Sequence, residues 1–294
     1  MKGELALVSY SSSDESEVDS SSQPPAKKRK LPALSATLSG PVHVDDPSLH
    51  QGRIRSTPHV DGQYATHIYA SVPLERGSAL FKLLRSIIAS ARTTVPALHD
   101  FWSSPKDLEP ELHISLSRPI FLRSHQREDM KRAVRSIAAK SAPFTASFAQ
   151  ITQLVNDEGT RIFLALEIGA GHHELACLSN ALTPALRAIH QQEYYTSPRF
   201  HASIGWSLLG GRTSASQADV DPPSHSPGSI PPDPRNSSVP ANHPSITEFP
   251  PSLLPTLNQE YASRLTGSTV KSFDVAEICM KIGKDVSRWR LSGT

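Results

Sequence analysis

Two short segments of the sequence carry the same pair of polar side chains inside an apolar run. They are His113-Ile114-Ser115, within Leu112–Leu116, and His201-Ala202-Ser203, within Phe200–Ile204. Because side chains alternate between the two faces of a β-strand, His and Ser at positions i and i+2 point to one face and their apolar neighbours to the other. Polar groups are costly to bury without partners, so this pattern indicates that each strand lines a cleft or a polar network.

The tripeptide by itself is weak evidence, because a third copy, His243-Pro244-Ser245, lies in a Pro-rich segment without strand periodicity. For either strand taken singly, a core histidine bonded to a backbone carbonyl is the better explanation. The matched pair weakens that explanation and favours a chemical role for both histidines.

Two imidazoles and two hydroxyls form a set of groups that can cleave a phosphodiester. Imidazole titrates near neutral pH, so one ring can remove a proton while the other donates one. In RNA, the base would deprotonate the 2′-OH, the 2′-oxygen would attack the phosphate, and the acid would protonate the leaving 5′-oxygen, with the hydroxyls donating to the phosphate. This route needs no metal or other cofactor, and no metal-spaced cluster such as HExxH occurs. His67 lies on a predicted strand and is expected to be structural.

The elements around these motifs are predicted from hydrophobic periodicity and turn residues. The predicted strands are Tyr64–Ser71, Leu112–Ser117, Phe144–Val155, Arg161–Ile168, Phe200–Trp206, Val270–Ile282 and Ser287–Leu291. The predicted helices are Leu74–Ala91, a helix capped by Ser124 and running to about Lys140, His172–Glu193, and a helix capped by Ser252. Each half of this series holds a strand or hairpin, a helix and then a His-x-Ser strand. We therefore predict an α+β fold of two lobes, with pseudo-symmetric antiparallel sheets lining a central groove and helices outside.

Proline is distributed unevenly and indicates which parts of the chain form the core. Of 25 Pro, 11 lie between Pro222 and Pro255. Such a polar, Pro-rich segment cannot bury a core. We predict a disordered tail at 1–55, a catalytic domain at 56–209 and 251–294, and a disordered insertion at 210–250.

Charge and composition narrow the possible partners and compartment. The net charge of +2 excludes a global basic field, so a nucleic acid would have to be held by a local site. The Ser-rich acidic tract Ser11–Ser22 resembles a phosphorylation target. The basic run Lys27–Lys30 resembles a nuclear import signal that an import receptor could bind. A solvated cluster of charges is the alternative explanation for this basic run. Only two cysteines are present and no run of 18 apolar residues, so we expect a soluble intracellular protein without a disulfide framework, zinc site or membrane span.

The two strand-borne His-x-Ser motifs, which begin 88 residues apart, are similar to the signature of the 2H phosphoesterase superfamily. More narrowly, the chain resembles the family of U6 small nuclear RNA phosphodiesterases, which process RNA 3′ ends. The segments that carry this resemblance are Leu7–Ser13, Ala65–Tyr69, Leu112–Ser117, Asn156–Glu167 and Tyr195–Trp206. The Pro-rich insertion after Gly210 departs from the family pattern and follows the second motif.

The resemblance implies the 2H phosphoesterase fold and a monomeric nuclear enzyme that shortens the oligouridine 3′ tail of U6 RNA. The product would carry a 2′,3′-cyclic phosphate or a 3′-phosphate. It also implies roles for individual residues: His113 as proton acceptor, His201 as proton donor, Ser115 and Ser203 as phosphate donors, and Tyr195 as a platform for the 3′-terminal base. The remaining residues that it places along the substrate are Ile114, Ser197, Arg199, Phe200 and Ala202.

The residues themselves leave alternatives open. The sequence does not tell which histidine is the base. The pattern around Tyr195 is equally consistent with packing at a helix end, and the position of Arg199 is equally consistent with an exposed residue at the end of a strand. Two other functions are also compatible with the motifs: a 2′,3′-cyclic phosphodiesterase of the 2H superfamily that does not trim RNA, and a non-catalytic nuclear RNA-binding protein.

Overall fold

A largely antiparallel sheet of ten strands forms the framework of the protein in the computed structural model. The structure describes residues 46–54, 60–102, 110–210, 243–267, 270 and 272–293, all within the compact unit Val44–Thr294. The strands are β1 Gln63–Pro73, β2 His99–Asp100, β3 Glu111–Ser115, β4 Ile120–Arg123, β5 Phe144–Ala146, β6 Phe148–Val155, β7 Arg161–Ile168, β8 His201–Leu209, β9 Ser245–Ile246, β10 Phe273–Val275, β11 Glu277–Ile282 and β12 Asp285–Arg290. The helices are α1 Ala79–Thr94, α2 Arg127–Lys140, α3 His172–Ala188 and α4 Leu253–Leu265.

The main sheet has two halves that meet at the motif strands. Its order is β12-β11-β1-β3-β8-β7-β6, with β4 beside β1 and with β2 and β9 beside β8. Strands β3 and β8 are paired at Ile114 and Ala202, the central residues of the two His-x-Ser motifs. Strands β5 and β10 form a separate two-stranded sheet. The predicted α+β architecture with antiparallel sheets in two related halves is confirmed.

The helices cover the apolar face of the sheet. The Ser78 hydroxyl accepts a hydrogen bond from the Phe81 amide and so caps α1, whose buried side chains include Leu84 and Ile87. Helix α4 packs against α1 and β6, and α2 packs against α3, β11 and β12. Fully buried Ile114 and Ala202 belong to this apolar face. The alternating motif side chains are therefore left on the opposite face.

The predicted elements are present, with differences at their ends. The strand predicted at Phe144–Val155 is divided into β5 and β6, and β5 pairs with β10. Helix α3 ends at Ala188 instead of Glu193, because the chain turns at His190, which has a left-handed φ of 55°. Short β2, β4 and β9 carry too few residues to show a period, and the sequence did not predict them.

The predicted boundaries of the tail and the insertion need correction where the structure describes them. Residues 47–50 form a 3₁₀ helix capped by Asp46, and the guanidinium carbon of Arg53 lies 5.4 Å from the centre of the Trp206 ring. Strand β9 lies within the predicted insertion and pairs with β8, and the Gly210 amide donates to the Ile246 carbonyl. Both segments contact β8, the first through Arg53 and Trp206 and the second as an added strand. Residues 1–45 and 211–242 lie outside the described residues.

Candidate active site

The antiparallel pairing of β3 with β8 brings the two motifs together. With Ile114 opposite Ala202, the register places His113 across from Ser203 and Ser115 across from His201. Directly opposed side chains of paired strands lie about 5 Å apart at their Cβ atoms. Two imidazoles and two hydroxyls therefore share one small area on the open face of the sheet.

A cavity of about 490 Å³ opens over this area. Three of the four motif side chains, His113, Ser115 and Ser203, line it. The other lining residues are His67, Tyr69, Phe101, Pro110, Glu111, Phe163, Lys281 and Val286. No hydrogen-bond partner of the Ser203 hydroxyl is found among the described residues, which leaves this donor directed to the cavity and available for a ligand.

His113 is held by a carboxylate on its own strand. Its Nε2 lies 3.0 Å from Glu111 Oε1. The same carboxylate accepts hydrogen bonds from the Tyr69 hydroxyl at 2.9 Å, from the Ser71 hydroxyl at 2.5 Å and from Arg288 Nη1 at 2.8 Å. Burial alone would raise the pKa of Glu111, but the hydrogen bonds from His113, Arg288 and Ser71 hold it well below its usual value.

The ionised state of Glu111 determines the tautomer of His113. An ionised carboxylate has no proton to donate, so Nε2 of His113 must carry the hydrogen in this contact. In the neutral ring the lone pair then belongs to Nδ1. The Tyr69 ring stacks on His113 with centroids 3.8 Å apart and restrains the imidazole from one side. The ring is thus fixed both in orientation and in protonation pattern.

His201 is oriented by a different partner. Its Nδ1 donates to the Arg199 carbonyl oxygen at 2.7 Å, which leaves Nε2 as the nitrogen that can exchange a proton with a ligand. Burial lowers the pKa of His201, against a smaller opposing effect of its hydrogen bond to the Arg199 carbonyl. Across the sheet His201 pairs with Glu167 of β7.

His67 lies in the wall of the cavity and contacts the first motif. Its Nε2 shares a hydrogen bond of 2.9 Å with the Ser115 hydroxyl. Burial, together with His113 and Lys281, lowers the pKa of His67 to about 4, so the ring is neutral at physiological pH. His67, which was expected to be structural, therefore holds a motif hydroxyl in position.

Tyr195 lies outside the cavity, in the segment between α3 and β8. Its hydroxyl donates to Asp157, and the guanidinium carbon of Arg118 lies 3.9 Å from the centre of its ring. The side chain is 41% exposed. Burial and the hydrogen bond to Asp157 raise the pKa of Tyr195 to about 12. Arg118 follows the first motif along the chain, so Tyr195 is connected to the motif area through this contact.

The other predicted substrate residues fall into two groups. Ile114, Phe200 and Ala202 are fully buried, so only their backbone atoms can reach a substrate. Ser197 and Arg199 are exposed. The Arg199 guanidinium donates to Glu167 and to the Thr152 hydroxyl, so it already has protein partners.

The sequence reasoning missed the residues that support His113, although part of the signal was present. Glu111, His113 and Ser115 alternate along β3, and His67, Tyr69 and Ser71 alternate along β1. The same period of two that paired His with Ser would have placed all six side chains on one face. Arg288, which reaches Glu111 from β12, has no comparable signal, because its contact depends on the order of strands across the sheet.

No group of three or more His, Cys, Asp or Glu side chains in the part of the chain that the structure describes is arranged to hold a metal ion. Among the helices of the described ranges, none is long and apolar enough to cross a bilayer.

Comparison of the sequence with known proteins shows the family of this chain. The model of a family described as HVSL, an uncharacterised conserved protein, matches residues 23–289. The human protein U6 snRNA phosphodiesterase 1 is 30% identical over 226 residues, which cover 70% of this chain and 81% of that protein. The mouse protein of the same name is 31% identical over 193 residues, covering 63% and 68%, and the Drosophila melanogaster protein is 30% identical over 232 residues, covering 69% and 83%.

Solved structures with a similar fold include Kluyveromyces marxianus Usb1 with uridine monophosphate and Escherichia coli LigT in its apo form. The first has a TM-score of 0.47 and 15% sequence identity, and covers 77% of this chain and 98% of that chain. The second has a TM-score of 0.38 and 10% identity, and covers 79% and 96%.

Proposed function

The chain belongs to the family of U6 snRNA phosphodiesterases, and from this membership we propose that it is a metal-independent 3′-to-5′ RNA exonuclease that trims the oligouridine tail of U6 small nuclear RNA. The observation that supports this function most directly is the pairing of Ile114 with Ala202, which puts two His-x-Ser motifs on one face of the sheet. Each cleavage removes one nucleotide and leaves a 2′,3′-cyclic phosphate or, after opening, a 3′-phosphate.

His113 is the proton acceptor in this proposal. Its Nε2 hydrogen is engaged by the Glu111 carboxylate, so the lone pair on the other ring nitrogen takes the proton of the 2′-OH. The ionised Glu111 then stabilises the imidazolium that forms, as a buried carboxylate does for the histidine of a hydrolase triad. Glu111 is thus a positioning residue that acts through His113.

His201 is the proton donor to the leaving 5′-oxygen. Its Nδ1 remains bonded to the Arg199 carbonyl in either protonation state, so the proton leaves from Nε2. The lowered pKa of His201 makes its protonated form a stronger acid, and the approach of an anionic phosphate favours the proton on the ring. The roles of His113 and His201 exchange when water opens a cyclic phosphate.

The two serines and the segment before β8 hold the substrate. The Ser203 hydroxyl, which lines the cavity, donates to a non-bridging phosphate oxygen. The Ser115 hydroxyl accepts a hydrogen bond from Nε2–H of His67, so its own proton is free to donate to another phosphate oxygen. The terminal base stacks on Tyr195, because an aromatic face binds an unpaired base with little demand on its identity. The chain from Ser197 to Ala202 contacts the same nucleotide, through the backbone where its side chains are buried.

Removal of metal ions and one substitution in the substrate test this mechanism. The purified protein is expected to shorten an oligouridine-tailed RNA one nucleotide at a time in excess EDTA. It is expected not to remove a terminal nucleotide when the penultimate sugar is 2′-deoxyribose, because the attacking 2′-OH is then missing. Gel analysis of the ladder and sequencing of the terminal phosphate measure both results.

The all-ribose RNA of the same sequence is the control for the deoxy substrate. Cleavage of the deoxy RNA at a comparable rate would refute attack by the 2′-OH. Opening of 2′,3′-cyclic ends without any shortening of the tail would show that the protein is a cyclic phosphodiesterase only.

Replacing Tyr195 tests the platform for the terminal base. In Tyr195→Ala, KM for the oligouridine RNA is expected to rise about tenfold while kcat changes little, because stacking of one base contributes roughly 1–3 kcal/mol. Tyr195→Phe keeps the ring, loses the hydrogen bond to Asp157 and should stay near wild type. Equal effects of the two substitutions would instead assign Tyr195 to local packing.

The same proposal includes the compartment and the partners. Processing of U6 RNA is a nuclear activity, and the basic run Lys27–Lys30, which lies outside the described residues, would serve as the segment bound by an import receptor. One chain supplies both histidines and both serines of the site, which supports an enzyme that acts as a monomer. The proposed domain limits follow the predicted ones, with the described residues 46–54 and 243–250 added to the catalytic domain.

A further inference from the structure

The cavity spans the motif strands, from Phe163 on β7 to Lys281 on β11 and Val286 on β12, and the proposed platform for the terminal base lies outside it. Tyr195 lies in the segment before β8 and contacts Asp157 of the β6–β7 turn and Arg118, which follows β3. At its far end the cavity reaches across β1 to β11 and β12, where His67, Lys281 and Val286 line it. A substrate that contacts Tyr195 and also fills this end of the cavity must cross the sheet towards β11.

Lys281 is the cation that faces this end of the cavity. It lies directly opposite His67 in the pairing of β1 with β11, so both side chains are on the open face of the sheet. His67 is neutral because its pKa is lowered to about 4. Arg288, the other nearby cation, donates to Glu111 at 2.8 Å. Lys281 has no ion-pair partner among the residues that the structure describes, and it is exposed.

The sheet order gives the distance from the reacting phosphate to this lysine. In the proposed function the scissile phosphate lies between β3 and β8, and β11 is two strands beyond β3. Neighbouring strands are about 4.8 Å apart, so β11 lies roughly 12 Å from the midpoint between β3 and β8. The Lys281 side chain extends from β11 into the cavity, which brings its ammonium group within one nucleotide step of the reacting phosphate, on the side away from β8.

We propose that Lys281 binds the phosphate on the 5′ side of the penultimate nucleotide, so that the site recognises three successive nucleotides of a single-stranded RNA. This inference rests on the proposed function, because that function orients the RNA. The apolar side chains of Phe101, Phe163 and Val286 around the same cavity provide a surface for the penultimate nucleotide. A dinucleotide without a 5′-phosphate lacks the group that Lys281 binds, and a trinucleotide has it.

Binding measurements with uncleavable RNA test the role of Lys281 independently of the cleavage reaction. Dissociation constants are measured for UpU and UpUpU in which the penultimate sugar is 2′-O-methylated, so that no 2′-OH can attack. The wild type is expected to bind UpUpU about tenfold more tightly than UpU, since a hydrogen bond to a charged group contributes roughly 1.5–3 kcal/mol. Lys281→Ala should lose that advantage and leave the affinity for UpU unchanged.

Two further variants complete the test. Lys281→Arg keeps the charge and should keep the preference for UpUpU, and Lys284→Ala removes a lysine of the β11–β12 turn that does not line the cavity and should match the wild type. In the wild type, log Kd for UpUpU should depend on log salt concentration more steeply than in Lys281→Ala, by about 0.7. Equal wild-type affinity for the two RNAs, or an equal effect of Lys281→Ala on both, overturns the proposal. Cleavage activity is measured separately on all-ribose RNA, so a failure of the proposed function is seen independently.

Discussion

Replacing either His113 or His201 by alanine is expected to lower kcat/KM on an oligouridine RNA by about 10²- to 10⁴-fold, the range that general acid–base groups contribute. Each substitution removes one of the two proton transfers and leaves the phosphate donors Ser115 and Ser203 in place. Binding of the RNA should change much less than the rate. Single-turnover kinetics with enzyme in excess measure the chemical step directly.

The double variant extends this test. Because the two rings act on one transition state, their effects are not additive, and His113→Ala combined with His201→Ala should be little slower than the worse single variant. His125→Ala, an exposed histidine in the 3₁₀ turn before α2, is the matched control and should retain wild-type activity. More than about a tenth of the wild-type rate in either single variant would contradict the assignment of both histidines to proton transfer.

Glu111→Gln is expected to lower kcat/KM by about 100-fold, at the lower end of that range because Glu111 acts through His113. The amide is nearly isosteric with the carboxylate but carries no charge, so it neither requires a hydrogen on Nε2 of His113 nor stabilises the imidazolium. The acidic limb of the pH profile of kcat/KM should therefore move to lower pH. The basic limb, which reports the proton donor, should stay in place.

The pH profile distinguishes positioning from a structural role. Glu111 also accepts hydrogen bonds from Tyr69, Ser71 and Arg288, so thermal unfolding of the variant is measured alongside its activity. Glu128→Gln is the matched control, since Glu128 is a carboxylate on α2 that pairs with Lys131 and lies outside the cavity. A loss of rate with an unchanged pH profile would assign Glu111 to folding alone.

The motif strands were predictable from the sequence because alternation along a strand is a local property. The rule that residues i and i+2 share a face was enough to predict the orientation of His113, Ser115, His201 and Ser203. The family resemblance added Tyr195 and the segment before β8. The meeting of the two motifs at Ile114 and Ala202 was expected in outline as two lobes around a groove, whereas its register could not be read from either strand alone.

The parts that could not be predicted depend on residues far apart in the chain. Arg288 on β12 reaches Glu111 on β3 across the two strands between them, β11 and β1, and Lys281 faces His67 only because β11 pairs with β1. The lowered pKa of His67 likewise follows from burial by several elements, which a single strand does not reveal. Strand β9 was missed because two residues are too few to show a period.

The join between β3 and β8 also bears on how the protein acquires its activity as it folds. The two motif histidines lie 88 residues apart, so the pairing of β3 with β8 closes a loop that contains α2, α3 and the β6–β7 hairpin. Contacts between such distant residues form late in folding, because the chain must lose the entropy of closing a long loop before the contacts can stabilise it. A half-folded chain, even one with a complete first half, therefore holds one histidine without its counterpart and cannot cut RNA during synthesis.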